Sequence, residues 1–174
     1  MLRNPLKREE GFRLLVNIHK ERLYWHIRTL VLSHDDADDV LQNTFIKIFR
    51  SVDKFRGDSA LYTWMFRIAT NESLSFLKST AKKMSKSLEE VRQERVGNLK
   101  SDPYFDGDEL ELSLQEAIIR LPEKQQMVFR MKYLQEMKYE EMSEILETSV
   151  GSLKASYHHA KKKIESQILK NADG

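Results

Sequence analysis

Residues 139–164 read YEEMSEILETSVGSLKASYHHAKKKI, and this stretch decides the fold. Tyr139 to Leu146 predicts a short helix, Glu147-Thr148-Ser149 a three-residue break, and Val150 to about Leu169 a longer helix. Short helix, tight turn and longer helix is the pattern of a helix-turn-helix. In the second helix Val150, Leu153, Tyr157, Ala160 and Ile164 recur at steps of 3 or 4, so they share one face. Met142, Ile145 and Leu146 supply the surface they would meet. The opposite face carries Gly151, Lys154, Ala155, His158, His159 and Lys162. A helix that enters the major groove needs short or polar residues near its start, so the backbone can approach base edges. It needs cations further along for phosphates, and this helix has that order. Lys154, Lys161, Lys162, Lys163 and Lys170 face only Glu165 in sign. Such a basic helix is a candidate phosphate-binding element, though charge alone fits a solvated helix as well.

Working upstream, Leu112 to Arg120 predicts a helix stopped by Leu121-Pro122, because proline disfavours helix in the residue before it. Glu123 to Leu134 predicts another. Residues 112–171 therefore form a small C-terminal helical domain. Residues 81–111 have linker composition: Lys, Ser, Glu and Asn without sustained periodicity, with Gly97-Asn98, Asp102-Pro103 and Asp106-Gly107 as breaks. A short helical turn over Ser87 to Arg95 is compatible with this. The second half is acidic.

Residues 8–80 predict an N-terminal domain of three helices. Gly11 to Leu32 carries Phe12, Val16, Leu23, Ile27 and Leu30 on one stripe, with His19 on the same stripe as a packing residue. Ser33 and Asp36 form a capping pair for the second helix, whose first turn is crowded with Asp35, Asp36, Asp38 and Asp39. That helix runs to about Val52, with Leu41, Phe45, Ile48 and Val52 on one face. Ser59 or Asp58 would cap a third helix, Ala60 to about Lys78, dense in aromatics: Tyr62, Trp64, Phe66 and Phe76.

Composition agrees with a nearly all-α, two-domain chain. Its 174 residues contain only 6 Gly and 3 Pro, few for a protein with many β-turns. Cysteine is absent, which excludes a disulfide scaffold and a thiolate metal site. The charged N-terminus has no signal-peptide character and no apolar run approaches a membrane span, so a soluble cytoplasmic protein without membrane insertion is expected. No cofactor or metal site is evident.

Several motifs together carry a resemblance. Tyr139 to Leu146 followed by Ser149-Val150-Gly151-Ser152-Leu153-Lys154 resembles region 4.2 of bacterial extracytoplasmic-function (ECF) sigma factors, of the sigma-70 family. Leu121-Pro122-Glu123-Lys124-Gln125 resembles the start of region 4.1. Asp38-Asp39-Val40-Leu41-Gln42-Asn43-Thr44-Phe45, Phe55-Arg56-Gly57-Asp58-Ser59, Tyr62-Thr63-Trp64 and Arg67-Ile68-Ala69-Thr70-Asn71 look like regions 2.2 to 2.4. Order, spacing and intervening linker all match.

The resemblance implies an RNA polymerase sigma factor, not an enzyme. Such a protein binds core polymerase, recognises the −35 and −10 promoter elements and promotes melting. It implies polymerase contacts at the β′ clamp helices and β flap, promoter DNA, and an anti-sigma factor as partner. By matching position, Asp39, Gln42, Asn43, Phe45 and Phe49 would bind core polymerase. Arg56, Gly57, Asp58, Ser59, Tyr62, Trp64, Arg67 and Asn71 would hold the −10 element. Gly151, Ser152, Lys154, Ala155, His158, His159 and Lys162 would lie on the −35 element. Unpaired bases stack on aromatic faces while cations hold the backbone, so the aromatic third helix suits single strands. At least one of its aromatics is expected in the core. Two departures stand out. The family's turn often has Gly where Glu147 stands, and its recognition helix is often Arg-rich where this one reads Ala155-Ser156-Tyr157-His158-His159.

Two other readings exist. A stand-alone helix-turn-helix regulator would explain the C-terminal domain but not the aromatic N-terminal helices. A metal-dependent enzyme would use His34 with the four aspartates, but only Asp35 and Asp39 share a helix face. No nucleophile set or phosphate loop accompanies them.

Overall fold

The computed structural model describes residues 4–103 and 105–174, and these hold eight α-helices and no strand. The first three, α1 (Arg8–Val31), α2 (His34–Ser51) and α3 (Leu61–Lys83), pack around a common core. α1 stops because Leu32 turns left-handed at φ 64 and returns its N–H to the Arg28 carbonyl. Ser33 then caps α2 by accepting from the Asp36 N–H at 3.4 Å. The reciprocal half of the capping pair is not made, since the Asp36 carboxylate turns to Arg95 at 2.6 Å.

Leu23, Ile27, Val31, Ala37, Val40, Ile48, Met65, Phe66, Ala69 and Leu77 fill this core. On α2 the buried stripe is Ala37, Val40, Thr44 and Ile48, while Leu41 and Phe45 sit at its margin. The stripe expected from the large residues is therefore rotated, because small Ala37 and Thr44 allow α1 and α3 to approach. The Thr44 hydroxyl is silenced by donating to the Val40 carbonyl at 2.7 Å. α3 begins at Leu61 with Ala60 at its cap position and no side-chain capping bond, so neither Asp58 nor Ser59 caps it. It runs beyond the expected Lys78 to Lys83. Of its aromatics Phe66 is core.

The stretch with linker composition is built rather than extended. α4 (Leu88–Gly97) opens with a complete capping box between Ser87 and Glu90, which pulls the Glu90 carboxyl below its ordinary range through the Ser87 backbone and hydroxyl donors. Val91 and Val96 are buried, and Val96 joins Leu32, Leu99, Leu112 and Ile119 in a small apolar cluster. The Arg28–Asp102 ion pair, 2.8 Å long and nearly buried, fastens the end of this segment to α1.

The C-terminal helices are α5 (Glu109–Ile119), α6 (Glu123–Phe129), α7 (Tyr139–Leu146) and α8 (Val150–Asp173). Asp108 caps α5 by accepting from the Glu111 N–H at 3.0 Å. α6 loosens into one π-turn, Arg130–Leu134. There the buried Arg130 donates to Gln115 at 3.0 Å, and burial, with the Arg92 guanidinium adding, pushes its pKa down to about 9. Ala117, Ile118, Leu121, Phe129, Ala160 and Ile164 form the core between α5, α6 and α8.

The two groups of helices are not separate bodies. Met127, Val128, Met131, Met137, Met142, Ile145 and Leu153 belong to the same apolar cluster as Leu23, Phe66 and Leu77. α7 lies against α3, and the π-turn lies against α1.

Candidate functional site

α7, the turn and the start of α8 fall where the sequence predicts them, and α8 runs past the expected Leu169 to Asp173. Thr148 and Ser149 bridge the helices, and Ser149 caps α8 by accepting from the Ser152 N–H at 3.2 Å. Glu147 is left-handed at φ 53, the conformation that glycine adopts without cost. Leu153, Ala160 and Ile164 are buried and Tyr157 stacks on Phe129, so the inner face of α8 is fixed by packing. Gly151, Lys154, Ala155, His158, His159 and Lys162 are exposed together on the outer face. His158 and His159 present adjacent rings 5.9 Å apart, edge to face. A side chain at Gly151 would meet nothing within 4 Å, so this start of the helix is open to an incoming surface. Ser152 differs from the rest. It is half-buried and its hydroxyl accepts from Lys124 at 2.9 Å, so it braces α8 against α6.

On α2, Asp39, Gln42 and Asn43 are exposed on one face. Phe45 and Phe49 do not point out with them. Both are half-buried and meet Phe12 edge-on, at 6.2 and 5.0 Å between ring centres, and the Arg8 guanidinium covers Phe49. They brace α1 against α2. Ile46, absent from the residues the motif marks, is 43% exposed and lies one turn along from Gln42 and Asn43. An apolar residue at i+4 from an amide on an otherwise polar face was the available signal.

Around α3, Arg56, Gly57 and Asp58 are exposed in the loop before the helix, and Gly57 has φ 78, which explains a glycine there. Ser59 is half-buried. Trp64 packs on Phe55 at 5.2 Å, and Tyr62 packs on Phe66 at 4.4 Å with the Arg22 guanidinium over its ring. Burial pushes the Tyr62 hydroxyl up, while Arg22 opposes it. Asn71 is exposed. Arg67 is engaged. Its Nη2 donates to the Glu144 carbonyl at 2.6 Å and its Nη1 lies 3.6 Å from the Glu147 carboxylate. Thr63 also donates to the Glu144 carboxylate, at 3.3 Å. The aromatic helix start and the basic side chain thus lie together, partly covered by α7.

The acidic start of α2 does not converge on a point. Asp36 pairs with Arg95, and Asp38 lies 3.4 Å from His34 Nε2. Among the described residues no group of three or more His, Cys, Asp or Glu is placed to hold a metal ion. Among them, too, no helix is long and apolar enough to cross a membrane.

The fold is a helical one in which a three-helix unit lies beside an exposed helix-turn-helix. Residues 15–83 match the family described as Sigma-70 region 2, and residues 111–164 match Sigma-70, region 4. The ECF RNA polymerase sigma-E factor of Haemophilus influenzae is 31% identical over 170 residues, covering 92% of this chain and 88% of that protein. The sigma-E factor of Escherichia coli is 30% identical over 168 residues, covering 92% and 87%. The chain belongs to the ECF sigma factors, initiation factors for RNA polymerase rather than enzymes. Two solved structures share the fold. One is the sigma factor RpoE bound to the anti-sigma factor NepR from Bartonella quintana, with TM-score 0.67, 19% identity and coverage of 91% of this chain and 97% of that one. The other is CnrH bound to the cytosolic domain of CnrY, with TM-score 0.66, 21% identity and coverage of 95% and 91%.

Proposed function

We propose that this sigma factor divides its work among three surfaces. The face of α2 bearing Asp39, Gln42, Asn43 and Ile46 docks core polymerase at the β′ clamp helices, with the edges of Phe45 and Phe49 completing it. The loop Arg56 to Ser59 and the α3 residues Tyr62, Trp64, Arg67 and Asn71 hold the unpaired −10 strand. The outer face of α8, with Gly151, Lys154, Ala155, His158, His159 and Lys162, reads the −35 element, while the C-terminal domain meets the β flap. Ser152 supports that helix from behind. The observation that carries this reading is the segregation on α8: one face wholly committed to packing, the other exposed, small at its start and basic beyond.

The physics of the −10 surface is stacking plus charge. Base–aromatic stacking is worth roughly 1–3 kcal/mol per base, and a guanidinium or amide beside the ring holds the strand. The chain acts in the cytoplasm, where polymerase and promoter are. RpoE is held by the anti-sigma factor NepR and CnrH by the cytosolic domain of CnrY, and an anti-sigma partner is proposed here also.

Open-complex formation tests the melting role. Asn71→Ala slows opening of a duplex promoter, and a promoter pre-melted at −10 restores most of the rate. Normal opening by Asn71→Ala removes that residue from the surface. Trp64→Ala serves as a companion, read only alongside a helicity and melting check, because its packing on Phe55 also supports the loop.

A further inference from the structure

We infer that the free chain is self-closed, with α7 of the −35 domain lying on the −10 surface of α3 and the Glu144–Glu147 end of α7 occupying the place of DNA at Arg67. This rests on the reading of Arg67 as a −10 contact. A guanidinium that would hold a phosphate is here satisfied by a carbonyl and a carboxylate: Glu144 oxygen at 2.6 Å and Glu147 at 3.6 Å. Thr63 beside it donates to Glu144. Oxygen acceptors on α7 thus mimic the strand they exclude.

The closure explains a departure from the family pattern. The turn after α7 uses a left-handed residue, for which glycine is the easy choice, yet Glu147 stands there at φ 53. A carboxylate at this position reaches Arg67, and a glycine would not.

Three other contacts hold the closed form. Gln135, which follows the π-turn, lies 2.8 Å from His26 Nδ1 and donates to Thr29 at 2.8 Å, tying the end of that turn to α1. The apolar cluster runs unbroken from α1 and α3 to α7. Its C-terminal part contains four of the chain's seven methionines, Met127, Met131, Met137 and Met142. Flexible, polarisable Met side chains repack against different partners, which suits a contact made and broken repeatedly. The exposed pair at Arg67 is weak by itself. The seam and the part-buried Gln135 contacts supply the hold, and Glu144 and Glu147 set what is covered. The exposed α2 face and the outer face of α8 stay free of α7 in this state, so polymerase can engage before the −10 surface opens.

Because the chain has no cysteine, a label pair can be placed cleanly at Ser75→Cys on α3 and Ser166→Cys on α8, both exposed. Spin-label distances in the full-length protein are expected to show one short, narrow population. Adding Gln135→Ala, Glu144→Ala and Glu147→Gly shifts it to a long, broad one, with helicity kept. The same variant binds a single-stranded −10 oligonucleotide at least fivefold more tightly. A control with equal charge change, Glu116→Gln with Glu165→Gln, changes neither readout. A broad distribution in the parent, an unmoved distance in the variant, or equal oligonucleotide gain in the control overturns the closure. Failure of the underlying reading looks different: the distance opens as expected, but Arg67→Ala in the polymerase-bound protein forms open complexes at the normal rate.

Discussion

His26 Nδ1 lies 2.8 Å from the side-chain oxygen of Gln135, so a neutral amide rather than a carboxylate is its partner. The other ring nitrogen lies 2.7 Å from the Thr70 hydroxyl, and the Phe66 ring covers the imidazole at 4.9 Å. In the neutral ring Nδ1–H donates to Gln135, and Nε2 accepts from the Thr70 hydroxyl only by competing with the Phe66 carbonyl, to which that hydroxyl donates at 2.8 Å. Burial pushes the pKa down to about 4, with the Gln135 bond opposing. The sign follows from linkage. Above the ordinary value near 6.5 both folded and unfolded chains carry neutral histidine, so the site adds no pH dependence. As pH falls from there to about 4 the unfolded chain takes the proton first, and stability is lost, by about 3 kcal/mol in all. Urea unfolding of the native chain and of His26→Gln between pH 7 and pH 4 checks this on the scale of roughly 1.4 kcal/mol per pH unit. The native chain should lose stability more steeply, and parallel curves would show that His26 titrates normally.

The Arg28–Asp102 pair predicts an asymmetry within the acidic segment. Arg28 is nearly buried, so removing its partner strands a charge, at a cost of about 3–5 kcal/mol. Asp102→Ala should therefore lower the urea midpoint sharply, with little relief from added salt. Asp106→Asn should change it by less than about 0.5 kcal/mol. Asp108→Ala should also lower the midpoint, by about 1 kcal/mol, because Asp108 caps α5.

On α2, Gln42→Ala with Asn43→Ala should weaken core-polymerase binding about tenfold, the equivalent of about 1.4 kcal/mol. Ile46→Ala should add to the loss, as an exposed apolar residue at the centre of the face. Direct titration with core polymerase measures this, and unchanged thermal melting shows the fold intact. Phe49→Ala should instead lower stability, because its ring is packed on Phe12. Unchanged affinity in the Gln42, Asn43 and Ile46 variants would remove this face from the interface.

The outer face of α8 predicts two behaviours. His158→Ala or His159→Ala should change preference at one position of a randomised −35 site, at roughly 1–3 kcal/mol. Lys162→Ala should weaken all sites alike and reduce the salt slope by about one. If both His variants keep the native preference, readout falls to Lys154, the helix backbone or DNA shape.

The boundaries of α7 and α8 and the buried stripe on α8 were legible because a strong 3.6 period ran between clear breaks. Elsewhere composition misled. Residues 88–97 look polar enough for a tether, yet Val91 and Val96 are spaced to bury one narrow stripe, and Ser87 with Glu90 caps it completely. Phe45 and Phe49 matched their motif positions, but Phe12 lies far upstream in sequence and its contact cannot be read locally. The same limit hid the bonds of Arg67 to Glu144 and of His26 to Gln135. Each joins residues on helices far apart in the chain, where no periodicity speaks. The odd residue at the turn, Glu147, was visible in the sequence, but its partner was not.

Gly151 sits in the first turn of α8 with open space where a side chain would go. Alanine there would restrict the unfolded chain, so that less entropy is lost on folding into the helix, adding roughly 0.4–1 kcal/mol of stability. It would also place a methyl group on the surface proposed to meet DNA. A screen for sturdier variants would therefore select Gly151→Ala, and a screen for transcription would reject it, so durability and promoter affinity pull this single position in opposite directions.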